Sequence, residues 1–104
     1  MKKILVIGAG RSAVTLIKYL LDNADVNNFF VVVADCSLEL AEEAVANHTK
    51  AKAIFFDVTD DMQRESEIGN ADIVISMLPA RMHITVAKAC IRLGKNLVTA
   101  SYVS

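Results

Sequence analysis

An uncharged run, Ile4-Leu5-Val6-Ile7, ends at Gly8-Ala9-Gly10 and passes directly into a helical pattern at Arg11. Few arrangements tolerate that order of residues. A strand that is apolar on both faces belongs inside a parallel sheet. A chain that leaves such a strand through two closely spaced glycines and enters a helix at once forms the turn on which a pyrophosphate meets a helix N-terminus. The motif reads Gly8-x-Gly10-x-x-Ala13. Gly8 is expected to make the tight turn, Gly10 to let the backbone approach the pyrophosphate, and Ala13 to sit at the helix–strand contact. Backbone N–H groups near Arg11 and Ser12 would then meet the phosphates with the positive end of the helix dipole. The implied ligand is a dinucleotide; the alternative is a tight turn in an unliganded flavodoxin-like fold.

Downstream the chain alternates between two periods. Ile4 to Ile7 is the first strand, and Arg11 to Asp22 the first helix, with Val14, Ile17, Leu20 and Leu21 on its packed face. Asn23, Asn27 and Asn28 mark a loop before a second strand, Phe29 to Ala34. A helix from Ser37 to Asn47, with Ser37 as N-cap, carries Leu38, Leu40, Ala41, Ala44 and Val45. Ala53 to Phe56 is a short third strand, Asp60 to Ile68 a more polar helix, and Ile73 to Met77 the fourth strand. Pro79 suits the first turn of a helix that runs through Val86, Ala87, Ala89, Cys90 and Leu93 to a stop at Gly94. Asn96 to Ala100 is the fifth strand. Such alternation predicts a Rossmann-type α/β fold: a doubly wound parallel sheet in the order 3-2-1-4-5, with helices on both faces.

At 104 residues and 54% hydrophobic content, the chain is one domain with one core. A net charge of −1, with Lys and Arg scattered, excludes a nucleic-acid footprint. The run after Lys2 and Lys3 is too short for a signal core or a membrane span, so a cytoplasmic protein without membrane contact is expected. Cys36 and Cys90 have no metal-like spacing and are expected to pack as small residues in a reducing compartment; no metal site is expected.

Asp35 closes the second strand 25 residues after Gly10, where an acid accepts hydrogen bonds from an adenosine ribose. A carboxylate there, followed by Cys36 and no arginine, favours NAD over NADP, with NADP still possible. Its alternative is a helix N-terminal acid acting with Ser37. Asp57 and Val58, at the end of the third strand, could flank the adenine, with Asp57 reaching its amino group, or Asp57 could cap the helix near Thr59-Asp60. Ser76-Met77-Leu78-Pro79 follows the fourth strand at the point where strand order reverses, beside the nicotinamide half of a cofactor, unless it is a plain strand-to-helix turn. His83 could face the same cleft or pack at the surface. His48 is expected to be solvated and Arg81 to face solvent.

Gly8-x-Gly10-x-x-Ala13, Ser76-Met77-Leu78-Pro79, Ala87-Lys88-Ala89-Cys90 with Gly94-Lys95-Asn96, and the ending Val98-Thr99-Ala100-Ser101-Tyr102-Val103-Ser104 together resemble the N-terminal domain of saccharopine dehydrogenase-like proteins. The resemblance implies a nicotinamide cofactor on this domain and reversible hydride transfer at a carbon bearing a secondary amine, with most of the substrate site on a second domain. It implies that Gly8, Gly10, Arg11, Ser12 and Ala13 hold the pyrophosphate and Asp35 the ribose. Met77, Leu78 and Pro79 would border the nicotinamide, with Thr99, Ser101 and Tyr102 near the substrate mouth. By that resemblance residues 1–104 are an excised cofactor domain, with catalytic residues and the amino-acid-derived substrate's contacts expected elsewhere. Apolar surface near the fifth strand would favour a homodimer. The competing reading is a dinucleotide-sensing regulatory module of the potassium-transport type. A short-chain dehydrogenase is excluded, because the sequence contains no Tyr-x-x-x-Lys pair.

Overall fold

The structure is a computed structural model that describes residues 2–99, and among them every side chain but those of Arg11, Ser12, Ala80, Arg81 and Thr99. Five parallel strands lie in the order β3-β2-β1-β4-β5: β1 (Lys2–Ile7), β2 (Phe29–Asp35), β3 (Ala51–Phe55), β4 (Ile73–Ser76) and β5 (Asn96–Thr99). The order is the one expected from the sequence. Between them run α1 (Arg11–Asp22), α2 (Ala24–Asn27), α3 (Leu38–Val45), α4 (Asp61–Gly69) and α5 (Ala80–Leu93).

Strand alternation divides the core. Ile4, Val6, Val31 and Val33 face α1 and α3 with Ala13, Ile17, Leu20, Ala41 and Val45. Leu5, Ile7, Val32 and Ala34 face the other way, onto Ile68, Val86, Ala89 and Cys90 of α4 and α5. A central strand can be apolar at every position because both of its faces are covered. On the α4–α5 side, Arg92 also pairs with Glu65 across the two helices.

Several boundaries move. β1 begins at Lys2, because main-chain pairing of Lys2 with Phe29 and Lys3 with Phe30 does not depend on side-chain charge. The Lys3 peptide is held further by Asp72, whose Oδ2 accepts from Lys3 N–H at 2.8 Å and whose own N–H donates to the Lys3 carbonyl at 2.9 Å. The expected loop at Asn23–Asn28 contains the short helix α2: the Asn23 and Asn27 side chains donate to carbonyls four residues back, prolonging helical geometry where they were read as breaking it. Asn28 then ends it in the left-handed region at φ 56.

Other boundaries shift for local reasons. α3 stops at Val45 because Ala46 and Asn47 turn left-handed, while Ser37 caps its start by accepting from Leu40 N–H, as expected. β3 starts at Ala51 and ends at Phe55; α4 starts one residue late, because Asp60 is its N-cap. Pro79 is the N-cap of α5, outside its first turn, and its carbonyl accepts from Met82 and His83 N–H groups. Gly94 ends α5 at φ 68, as expected. β4 ends at Ser76, and β5 is described to Thr99, so Ala100 lies outside the described residues.

Some core assignments fail as well. Val14 and Leu40 are exposed because they line a groove between α1 and α3, while Leu38 at the start of α3 and Leu93 at the end of α5 reach solvent. Cys90 is buried, and burial pushes its thiol pKa up; Cys36 is exposed, because it stands just past the end of β2. Val98 on edge strand β5 and Ile91 on α5 leave apolar surface open.

Ile17 is fully buried on α1 against the sheet. Ile17→Ala should therefore cost about 2–5 kcal/mol in a denaturant unfolding experiment, since neighbouring strands cannot move in to fill the cavity.

Candidate functional site

The carboxyl ends of β1, β2, β3 and β4 converge on one side of the sheet, where ligands of open parallel sheets sit. Gly8 follows β1 at φ 107, a left-handed conformation in which a side chain is strained. A Cβ at Gly8 would also approach the Met77 Cβ to 3.2 Å. The turn is bolted on both sides, with Gly8 N–H donating to the Ala34 carbonyl at 2.7 Å and Met77 N–H to the Ile7 carbonyl at 2.8 Å. Gly10 differs. It is the N-cap of α1 at φ −71 and ψ −177, extended backbone open to any residue, and among the described residues a Cβ there would meet nothing within 4 Å. α1 begins with no side-chain cap and no acid in its first turn. Ala13 is buried at the helix–strand contact, as expected.

Asp35, at the end of β2, is the keystone of this corner. Its Oδ2 accepts from Ala9 N–H at 2.7 Å and its Oδ1 from Ser37 N–H at 2.8 Å. The helix-entry role foreseen as an alternative is thus present, and a second bond, to the glycine turn, was not foreseen. Asp57 uses Oδ1 for the Thr59 N–H and hydroxyl, at 2.9 and 2.6 Å. Those two bonds, the hydroxyl's first, hold its carboxyl below the usual range, against a small opposing effect of desolvation. Capping of α4 falls to Asp60, which accepts from Gln63 N–H at 3.0 Å, and not to Asp57.

A cavity of about 120 Å³ brings these residues together: Gly8, Asp35, Cys36, Asp57, Val58 and Leu78 line it, with Phe56 and Met82 among the rest. Met77 packs instead against the α1–α3 face of the core, because consecutive residues after β4 point to opposite faces. Pro79 is exposed and lies outside the lining. Arg11, Ser12 and Thr99 are placed by backbone only, and Ser101 and Tyr102 lie outside the described residues. A larger cavity, about 450 Å³, opens between α1 and α3 and meets the turn only at Ala9. It gathers neither Asp35 nor Asp57, so the smaller cavity is the candidate site.

His83 is partly buried, with its Nδ1 unpartnered among the described residues. His48, expected to be solvated, is half-buried, and its Nδ1 accepts from Lys50 N–H at 3.0 Å. Sequence reasoning missed Phe56, Thr59 and Met82 in the lining and Gln63 and Arg64 behind it. One signal was available, since Asp60-x-x-Gln63 has the spacing of a capping box. Among the described residues no cluster could hold a metal ion, and no helix is long and apolar enough to cross a membrane.

The family described as the saccharopine dehydrogenase NADP binding domain matches residues 4–104. A saccharopine dehydrogenase [NADP(+), L-glutamate-forming] of Saccharomyces cerevisiae is 36% identical over 103 residues, 99% of this chain and 22% of that protein. An alpha-aminoadipic semialdehyde synthase of Arabidopsis thaliana is 40% identical over 82 residues, 79% of this chain and 8% of that protein. The chain thus spans less than a quarter of either. The solved apo saccharopine dehydrogenase (L-Glu forming) from Saccharomyces cerevisiae superposes with a TM-score of 0.86 at 36% identity, covering 100% of this chain and 22% of that one. A short-chain dehydrogenase/reductase from Veillonella parvula in complex with NADP reaches a TM-score of 0.75 at 20% identity, over 94% of this chain and 46% of that one, and shows the fold alone.

The two glycines should respond differently to a methyl group. Gly8→Ala should lower the thermal midpoint, since it combines backbone strain with a close contact, whereas Gly10→Ala should leave it nearly unchanged. Equal destabilisation by both would mean that the turn is uniformly strained.

Proposed function

We propose, since the chain belongs to the family of saccharopine dehydrogenase NADP-binding domains, that it holds a nicotinamide dinucleotide across the carboxyl ends of β1 to β4 and presents it for hydride transfer. Gly10 carries the reading. The fold makes no demand for glycine there, by conformation or by contact, so the missing side chain leaves room for something outside the protein. A pyrophosphate fits that opening, above an uncapped helix start with no acid to repel it.

The roles follow around it. Gly8, Gly10, Arg11, Ser12 and Ala13 form the pyrophosphate turn. Asp35 accepts from the adenosine ribose hydroxyls, with Cys36 beside it. Asp57 and Val58 flank the adenine. Met77, Leu78 and Pro79 border the nicotinamide half, and Thr99, Ser101 and Tyr102 stand toward the substrate. When bound, the nicotinamide ring supplies the hydride chemistry; these residues orient it and keep one ring face against protein. The substrate class we propose for the protein that carries this domain is an amino-acid derivative with a secondary amine, in keeping with the saccharopine named for its relatives. The alternative of a dinucleotide-sensing regulatory module is not favoured, since the matched family is a dehydrogenase's.

For cofactor choice we place NAD first. The relatives' names specify NADP(+), but the lining contains two carboxylates, Asp35 and Asp57, and, among the described residues, no lysine or arginine. A ribose 2′-phosphate would sit against that negative charge, whereas ribose hydroxyls find an acceptor in Asp35.

Calorimetric titration of the chain with NAD, NADP and their reduced forms tests this. NAD should bind saturably and more tightly than NADP. Asp35→Ala should weaken NAD by about ten- to a hundredfold, the worth of hydrogen bonds to a charged group, and narrow the gap to NADP. Gly10→Val should abolish binding while leaving the unfolding midpoint in place. A preference for NADP in the unmodified chain would reverse the assignment to NAD, and full affinity in Gly10→Val would remove the pyrophosphate from this turn.

A further inference from the structure

β3 is an edge strand, so its outward-facing backbone groups have no neighbouring strand to bond. Phe56 N–H turns inward and donates to the Asp35 carbonyl at 2.9 Å. Alternation therefore aims the Phe55 carbonyl and the Asp57 N–H outward, side by side. One side chain meets both. Gln63, on the first turn of α4, donates from Nε2 to the Phe55 carbonyl at 2.6 Å and accepts at Oε1 from the Asp57 N–H at 3.0 Å. A single carboxamide thus stands where the N–H and C=O of one residue of a sixth, parallel strand would stand. The Val58 carbonyl, three residues on, is pinned as well. Arg64, buried to 8% exposure, donates to the Val58 carbonyl at 2.6 Å and is braced by Asp61 at 2.7 Å.

These bonds lie directly behind the wall of the candidate cavity formed by Phe56, Asp57, Val58 and Thr59, yet neither Gln63 nor Arg64 lines it. Asp57 spends Oδ1 on Thr59, while its Oδ2 makes no hydrogen bond among the described residues. We infer that Gln63 is a positioning residue for adenine recognition: by standing in for the missing strand it holds the Asp57 backbone so that Oδ2 can accept from the 6-amino group of an adenine ring. The inference rests on the dinucleotide reading above and adds how the adenine end of that site is made selective.

The test compares a nicotinamide adenine dinucleotide with its hypoxanthine analogue, in which a carbonyl oxygen replaces the 6-amino group and meets the carboxylate as a second acceptor. Calorimetry on the 104-residue chain should show the adenine form bound about tenfold or more tightly. Gln63→Met, which keeps the side-chain length and removes both bonds, should bring that ratio close to one, chiefly by weakening the adenine form. A residue of merely structural importance would lower both affinities alike and leave the ratio standing.

If Gln63→Met fails to fold, Gln63→Glu serves instead: it keeps an acceptor for the Asp57 N–H, cannot donate to the Phe55 carbonyl, and should lower the ratio by about threefold or more. An unchanged ratio in the folded variant, with Asp57→Ala abolishing the preference, would overturn the role of Gln63 and leave the dinucleotide reading intact. A chain that binds the dinucleotide without preferring adenine overturns the role of Asp57 and that of Gln63 together. A chain that binds neither form overturns the dinucleotide reading, and this inference with it.

Discussion

The Ala9 N–H is a buried donor in a turn that belongs to no strand or helix, and a buried amide without an acceptor costs about 1–3 kcal/mol. Asp35 supplies that acceptor. The parallel register pairs Ile7 with Ala34, so the residue after Ala34 comes level with the turn that follows Ile7, and its carboxylate spans from Ala9 N–H to Ser37 N–H. One side chain therefore sets both the closure of the glycine turn and the entry into α3. Cofactor choice is tied to the same bond under the proposed NAD preference. A residue that welcomed a 2′-phosphate at this position would have to satisfy Ala9 by other means, so the charge that discriminates between cofactors cannot be changed independently of the turn.

Much of this was readable from the sequence, because two local signals are strong. Apolar strands alternating with amphipathic helices leave few topologies, and the order of the sheet follows from handedness and from the short connections. The glycine turn was readable because its position between strand and helix restricts what it can do. What escaped depends on context that no single window carries. The asparagines near residue 25 look like turn formers, yet two of them prolong a helix by bonding to carbonyls four residues back. Val14 keeps helical spacing with Ile17 and Leu21, but its exposure depends on how far α1 stands from α3. Met77 and Leu78 are neighbours in sequence, yet they pack against opposite faces of the sheet, which only the path of the chain after β4 decides.

The candidate site was legible to a comparable degree. Asp35, Asp57 and Gly8 were expected for their chemistry, and they do line one cavity. Gln63 and Arg64 were not, because they bond main-chain atoms at the end of β3 and in the loop after it, and residue identity there says little about which carbonyl will lack a partner. That information arises only once β3 is known to be the edge of the sheet.

Under the proposed dinucleotide reading, the two ends of the site are built by opposite devices. At the proposed phosphate end the protein leaves something out: the Gly10 backbone is unstrained, and among the described residues nothing would meet a side chain there. At the proposed adenine end the protein puts something in: a sheet that stops at β3 leaves a carbonyl and an N–H facing outward, and a side chain of α4 fills the place of the next strand. A true sixth strand would satisfy the same groups, but it would continue past Phe55 and narrow the mouth through which, on that reading, a base enters. A carboxamide satisfies the two groups and ends there. The sheet can therefore stop at the point where the site has to open, without leaving the backbone behind Asp57 unpaired.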